Sequence, residues 1–385
     1  MVKVLHIAWI VLQIVIGFHL FFPLALFFFK NLRKKKKPQV LITPQQLDIA
    51  IIVTAYEETY HLPLVINAII NQPYSNYIIY LVADKCDTSN LIFEDDRIKV
   101  LTPEKVIASN TGSHAFAVKN FIRTHEIITI IDSDNIVDGN YLTEINKTFA
   151  AGYVAVQGLR AAKNLDTNYA CLDAARDIYY HFYDGELLYE SGSSATLAGS
   201  GMAFKANLYI DFLKQTQVSG AGFDKVLQAS LVHKDLQIAF NKNAIVFDQK
   251  TTHANQLVQQ RSRWINTWFK YFGYGFGLTF KGLKNSSINQ FLFGLVLLRP
   301  PLFIFLILGV FATIINFVLG LNYIVWLIGF LSFIAGFFLA LKKSDTDKRI
   351  YASLLNIPKF MFYQMLALTK IRVANKISVA TKHQK

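Results

Sequence analysis

Asp132 and Asp134 close a run of mostly β-branched residues, Ile127-Ile128-Thr129-Ile130-Ile131, and stand one residue apart. On an extended chain, positions i and i+2 point the same way, so the two carboxylates can share one hard cation and a phosphate-bearing ligand. Two other apolar runs end in similar groups. Thr54-Ala55-Tyr56-Glu57-Glu58 follows one, and Asp84-Lys85-Cys86-Asp87 follows the other. Downstream lie a glycine-bearing stretch from Leu197 to Phe204, an acid at Asp235, and Gln260-Arg261-Ser262-Arg263-Trp264. Gln260, Arg263 and Trp264 fall at i, i+3 and i+4 and share one face of a helix expected over 255–272. The set describes metal-assisted chemistry on a phosphorylated ligand. Neither Gly-x-Gly-x-x-Gly nor a P-loop pattern occurs, which argues against dinucleotide enzymes and NTPases.

The elements that must position these groups alternate along the chain. β-branched runs predict strands over 48–55, 77–84, 98–101, 127–132 and 153–157. Helical patterns fall over 61–71, 113–125 and 141–150. This alternation predicts an α/β domain with a mostly parallel sheet and helices on both faces. In such sheets ligands bind beyond the carboxyl ends of the strands, where the acidic groups collect. His181, His233 and His253 have no metal-ligand spacing and read as structural.

The 385 residues are 53% hydrophobic with a formal charge of +13, which suits a soluble domain of roughly 250 residues carrying a few membrane spans. Residues 4–29 contain no Asp, Glu, Lys or Arg and are long enough for an anchor. Residues 290–341 form a second apolar block, broken at Gly320-Leu321-Asn322 into spans over 299–319 and 321–341. Pro300 and Pro301 break the start of that block and leave 290–298 for the interface. The basic run Arg33 to Lys37 and ten Lys/Arg after Leu341 place the intervening domain on the cytoplasmic side and contact anionic lipid. A bacterial inner or plasma membrane fits. No aromatic-interleaved basic surface accompanies these clusters, so nucleic acid is not expected as a partner. Residues 350–371 mix Phe360, Met361, Phe362 and Met365 with Lys359 and Lys370, as an interfacial helix does. Cys86 and Cys171 have no metal spacing and form no disulfide framework. The expected organisation is an anchor over 1–30, a cytoplasmic domain over 31–284, two spans over 285–345 and a basic amphipathic tail over 346–385.

The ordered set Thr54 to Glu58, Asp84, Asp132-Ser133-Asp134, Asp235 and Gln260-x-x-Arg263-Trp264 resembles the membrane-bound family 2 glycosyltransferases. The last motif is similar to that of cellulose, chitin, hyaluronan and poly-N-acetylglucosamine synthases, and of ceramide glucosyltransferases. The resemblance implies a GT-A-type nucleotide-sugar-binding domain and inverting transfer from a UDP-sugar. It implies that Thr54, Tyr56, Glu58, Asp84 and Asp132 bind the nucleotide sugar, with Asp84 at the uracil. Asp134, with Asp132, would hold Mg²⁺ or Mn²⁺. Asp235 would be the base, and Gln260, Arg263 and Trp264 would close over the diphosphate and the acceptor. The chain departs from the family pattern at Thr54 and Glu57, at Lys234 before the base, and at Ser113-His114, where a Lys is usual. The expected acceptor is a polysaccharide. Three spans are few for an export channel, so a homo-oligomer or a secretion partner is implied. The alternatives are single-sugar transfer to a membrane lipid and a non-catalytic nucleotide-sugar-binding scaffold.

Overall fold

The computed structural model describes residues 2–32, 45–216, 218 and 220–371. The basic run 33–37 and the basic residues after 371 lie outside the described residues. One sheet is built from β1 (Ile49–Tyr56), β2 (Tyr77–Asp84), β3 (Ile98–Leu101), β4 (Ile127–Asp132), β5 (Ile136–Val137), β6 (Ala155–Ala162), β7 (Met202–Lys205) and β8 (Ile238–Asp248). Its order is β3-β2-β1-β4-β7-β6-β8-β5. The first four strands in that order are parallel, as are β6 and β8. β7 runs antiparallel to both β4 and β6, and β5 to β8. Two reversals through β7 therefore leave the carboxyl ends of β1, β2, β4, β6 and β8 on one edge. The expected α/β architecture with a mostly parallel sheet is present.

The helices are α1 (Val2–Leu32), α2 (Leu62–Ile70), α3 (Asn110–Lys119), α4 (Tyr141–Ala150) and α5 (Asn168–Tyr180). α5 runs through a π-helical stretch (His181–Leu187) into α6 (Leu188–Glu190). Then come α7 (Ala206–Gln215), α8 (Phe223–His233), α9 (Ala254–Tyr271), α10 (Tyr274–Asn285) and α11 (Ile288–Leu298). The last four are α12 (Leu302–Val318), α13 (Ile324–Lys343), α14 (Lys348–Ser353) and α15 (Ile357–Thr369). The helix expected to reach residue 125 stops at Lys119. Asn120 donates its side-chain amide to the Phe116 carbonyl, and the Tyr80 hydroxyl then accepts the Ile122 N–H, which fixes the chain outside a helical path. β7 and β8 were not foreseen. β7 is only four residues long, and the pattern of β8 is interrupted by Asn241-Lys242-Asn243.

Strand residues alternate between two cores. On one face Ile51, Val53 and Ile131 pack with Val65 of α2 and Phe149 of α4. On the other, Ile52, Tyr80 and Ile128 share a core with Tyr209 of α7 and Leu231 of α8. That second core runs on without a break to Leu20 of α1, Phe305 of α12 and Phe333 of α13. Burying each such side chain contributes about 1.5–3 kcal/mol, so the sheet and the apolar helices are tied by a shared interior.

Among the described residues two helices are long and apolar enough to cross a membrane, Lys3–Lys30 and Ile324–Lys343. α11 and α12 make a third only if counted as one span, bent by 71° at Arg299-Pro300-Pro301. The missing proline N–H groups and ring clashes account for the break. Gln13 joins the helices by accepting from Asn316 at 2.6 Å and from the Trp326 indole at 2.9 Å, while Trp9 donates to Asn316 at 3.0 Å. Such hydrogen bonds join helices where apolar side chains alone gain nothing over lipid.

Candidate active site

Strand order reverses between β1 and β4, the switch point at which open α/β sheets leave a ligand crevice. Thr54 lies beside Asp132 in register there, and Tyr56 beside Asp84. The Asp132 N–H donates to Ser200 Oγ at 3.1 Å, and the Asn135 N–H closes a turn onto the Asp132 carbonyl at 3.1 Å. The turn holds Asp134 next to Asn135, whose amide nitrogen donates to Asp134 at 2.9 Å and to Asp248 at 3.3 Å. Burial first, and then the Asp134 carboxylate, push Asp132 up to about 7 against the pull of Arg160. Asp248 and Asp224 add to the upward push, so carboxylates from three parts of the fold converge on this point.

Asp84, the expected nucleobase contact, sits at the end of β2. It is 1% exposed, and its two oxygens accept the Ile107 N–H at 3.0 Å and the Ala108 N–H at 2.6 Å. The carboxylate anchors the loop before α3. Around it Glu57, Lys85 and Ala108 all take positive φ, and Lys85 pairs with Glu57 at 2.7 Å. Three non-glycine residues held in this region at one strand edge mark a locally strained rim. Glu58 is exposed beside it. Ser113 and His114, which stand where a cation is usual, are both buried. His114 bonds Tyr209 at 2.7 Å, and burial lowers its pKa to about 3, so the ring is neutral.

The opposite wall is a chain of buried ion pairs. Arg160, near the end of β6, pairs with Asp248 at 2.6 Å and donates to the Ala198 carbonyl at 2.6 Å. Lys250 bridges Asp248, at 2.9 Å, and Asp177 of α5. Burial opposes the lysine charge, but Asp177 and Asp248 outweigh it and raise its pKa. Burial likewise pushes Asp248 upward, yet Arg160 and Lys250 hold it down at about 2. Arg176 pairs with Asp177 at 2.7 Å, and Arg261 of α9 pairs with Asp173 of α5. Trp264 contacts both guanidinium groups, 4.3 Å from Arg176 and 4.1 Å from Arg261. One turn into the π-helical stretch, Asp184 pairs with Arg299 at the bend before α12. π-helical insertions reset which side chains face inward, and this one turns His181 and Asp184 to the cavity.

Beside these ion pairs lies a cavity of about 410 Å³, lined by Arg160, Asp224, Trp264, Trp268 and Arg299 among others. Asp224 lies in the first turn of α8, where the helix dipole favours a carboxylate. Gly222 caps that helix at φ 101°, and a Cβ there would meet Thr267 and Tyr271 of α9 at 2.6 Å. Only glycine allows both the turn and this close approach, and it is what brings Asp224 against α9.

Asp235, the expected base, lies apart from this cavity. Asp235 lies just past the far end of α8, eleven residues from Asp224 and roughly 16 Å along a helical path. It takes φ 58° in the C-terminal turn and accepts from Ser287 at 2.7 Å and Asn289 at 3.3 Å. It joins α8 to α11 and does not line the cavity. The helix α9 also presents a different stripe from the expected one. Trp264 lines the cavity together with Arg261 and Trp268, whereas Gln260 and Arg263 are absent from its lining. The expected i, i+3, i+4 triad is rotated so that Trp264 alone of the three faces in. Arg263 is half-buried, and that burial lowers its pKa. Arg160, Asp224 and Asp248 were not foreseen, although Asp248 ends an apolar strand as Asp132 does and Asp224 opens an amphipathic helix after a glycine.

Among the described residues no three His, Cys, Asp or Glu side chains group to hold a metal ion. The donor set nevertheless fits a hard divalent cation that takes its remaining oxygens from a ligand. Asp132 and Asp134 repel one another, and the neighbouring Asn135 Oδ1 is buried with no hydrogen-bond partner.

A family model described as glycosyltransferase-like family 2 matches residues 44–267, more than half of the chain. The chain belongs to this family. It is therefore a glycosyltransferase, and the strand edge that carries Asp132 and Asp134 lies inside the matched region. No curated protein matches it in sequence. Among solved structures it is similar to a mannosyltransferase from Pyrobaculum calidifontis, described in complex with GDP-Man and Mn²⁺. The two are 14% identical with a TM-score of 0.58, over 95% of this chain and 98% of that one. At that identity the likeness shows the fold, the GT-A-like arrangement expected from the sequence. TarS of S. aureus aligns over 59% of this chain and 49% of its own, at 13% identity and a TM-score of 0.37.

Proposed function

We propose that this glycosyltransferase moves a sugar from a UDP-sugar, with inversion, to a hydroxyl acceptor presented at the membrane. The observation that carries the proposal is the gathering of Asp134, Asp224 and Arg160 around Asp132, with Arg160 and Asp224 also lining a cavity that reaches the bend between α11 and α12. Thr54, Tyr56 and the rim around Asp84 receive the nucleotide. Asp134, with Asp132, would hold Mg²⁺ or Mn²⁺, which would supply positive charge to offset that of the departing diphosphate. Arg160 lines the cavity and lies near enough to Asp132 to lower its pKa, and it adds a fixed guanidinium on the same side.

Asp224 replaces Asp235 as the base in this mechanism. The acceptor oxygen attacks the anomeric carbon as its proton passes to the Asp224 carboxylate. The bond from that carbon to the diphosphate breaks, and its electron pair leaves with the nucleotide. Trp264, fixed between two guanidinium groups, offers a flat wall to the transferred sugar and helps exclude water. The apolar helices α1 and α13 would embed the chain in a membrane with the catalytic domain on the cytoplasmic side.

The test uses the full chain in lipid nanodiscs, with Mn²⁺ and separate UDP-sugar and GDP-mannose donors. UDP release from a UDP-sugar, lost in Asp224→Asn with nucleotide binding retained, is the expected result. Release from GDP-mannose alone would overturn the donor assignment, and full activity in Asp224→Asn would overturn the base.

A further inference from the structure

A second cavity, of about 530 Å³, lies beside the first at the level of the apolar helices. It falls within the range of ~300–1,000 Å³ typical of ligand pockets. Its walls come from α5, α12, α13 and α15, with Leu306, Phe330, Ile334 and Phe360 among the lining side chains. Polar side chains enter at only two points, Arg176 and Gln364. Both of those residues, with Leu302 and Phe303, also line the catalytic cavity. The two spaces therefore share a wall whose composition changes from charged to apolar across a few residues.

We propose that this slot holds the hydrocarbon chain of a lipid acceptor, whose polar head lies in the catalytic cavity. The proposal rests on the sugar-transfer reading above and chooses between its two acceptor classes. A polysaccharide cannot fill the slot, because its hydroxyls would lose water against Leu, Ile and Phe without gaining partners. A hydrocarbon chain loses nothing there. The polar side of the boundary offers partners for a head group. Nε and Nη1 of Arg261 and Nη1 of Arg299 are buried without hydrogen-bond partners, and both residues line the catalytic cavity. Arg261 is 2% exposed and Arg299 6%, so these donors are directed into protein rather than into solvent. The chain's route in is from the bilayer, because α12 and α13 form the outer wall. In the transfer step the lipid's head-group hydroxyl supplies the attacking oxygen, and its proton passes to Asp224 as described above.

The source of the chain is decided by photolabelling. The full-length protein in phosphatidylcholine–phosphatidylglycerol nanodiscs is exposed to a 16-carbon fatty alcohol with a terminal diazirine. A parallel sample receives phosphatidylcholine with the same diazirine at its chain end. Preferential labelling of slot residues such as Leu306 and Phe330 by the alcohol, reduced at least tenfold in Ile334→Trp, is expected. Equal labelling of the slot by both probes, or labelling confined to the outer faces of α10 and α15, overturns the proposal. A second arm uses the wild-type protein and the variant with a donor that supports transfer, and compares long- and short-chain alkyl acceptors. The ratio of long- to short-chain transfer should fall at least tenfold in Ile334→Trp, and an unchanged ratio overturns the slot. If no donor supports transfer, the sugar-transfer reading fails, while the labelling pattern in the wild-type protein still decides whether the slot binds a chain.

Discussion

The two sides of the candidate site are built by different means. On one side, the strand edge takes Thr54, Tyr56 and Asp132 from backbone register in a parallel sheet and Asp134 from the turn after β4. On the other, Arg160, Asp177, Lys250, Arg176, Asp173 and Arg261 hold one another in place from four separate segments through buried ion pairs. The first side tolerates loss of a single side chain because the backbone remains. The second does not, because each charge removed leaves another without compensation in a poorly solvated wall. Chemistry is therefore the sensitive readout for the strand edge, and stability the sensitive readout for the wall.

The sharpest way to break this contrast is at Asp224. Asp224→Asn is expected to lower sugar transfer by at least 10²-fold while nucleotide binding persists, in line with loss of a positioned base. Asp235→Asn should leave transfer within about twofold, since that carboxylate only joins α8 to α11; a loss equal to that of Asp224→Asn would restore Asp235 as base. Both are read by nucleotide release and product formation. Asp134→Asn, or chelation of divalent ions, should abolish transfer with little change in unfolding temperature. A large drop in that temperature would show that the strand edge is not independent of its side chains.

The wall is tested by Arg261→Met, which leaves Asp173 only Arg176 at 3.6 Å and the Thr251 hydroxyl at 3.3 Å and should destabilise the protein by about 3 kcal/mol, the low end for a broken buried pair. Adding Asp173→Leu should recover much of that loss, as measured by thermal unfolding in a double-mutant cycle. Full additivity would refute the coupling. A smaller effect is expected from acid. Asp248 titrates at about 2 when folded, below its usual range, so its contribution is complete above the unfolded pKa of about 3.9. That contribution is lost as pH falls from about 4 through 2, and Asp248→Asn should flatten this part of a stability–pH curve. Smallest is Gly222→Ala, where the positive φ alone costs about 1 kcal/mol and contact with Tyr271 adds to it. Unfolding measurements should show that loss, with reduced transfer if Asp224 is displaced.

The sequence was informative where function follows local pattern. Apolar runs ending in acids located β1, β2 and β4, because strand period and burial are encoded within six to eight residues. The break at Pro300-Pro301 was equally local. Asp235 shows where local pattern stops, because an acid at the end of an apolar helix looks the same in sequence whether it caps a turn or faces a substrate. Its positive φ and its Ser287 and Asn289 partners depend on a loop some fifty residues later. The rotation of α9 was hidden for a related reason. Helical spacing says which residues share a stripe, but only the pairing of Arg261 with Asp173, 88 residues away, decides which stripe faces inward. Asp84 shows the reverse case, a residue correctly placed at the strand edge whose carboxylate is held by loop amides.

The ion pairs Arg261–Asp173 and Arg299–Asp184 also constrain how this sequence can change over time. Each pair joins positions at least 88 residues apart, and neither member can be neutralised first without passing through a form with one buried, uncompensated charge. Divergence at these sites should therefore proceed in paired steps. Relatives that have lost the arginine should have lost its aspartate too, whereas the exposed pair Arg349–Asp347 is free to drift one residue at a time.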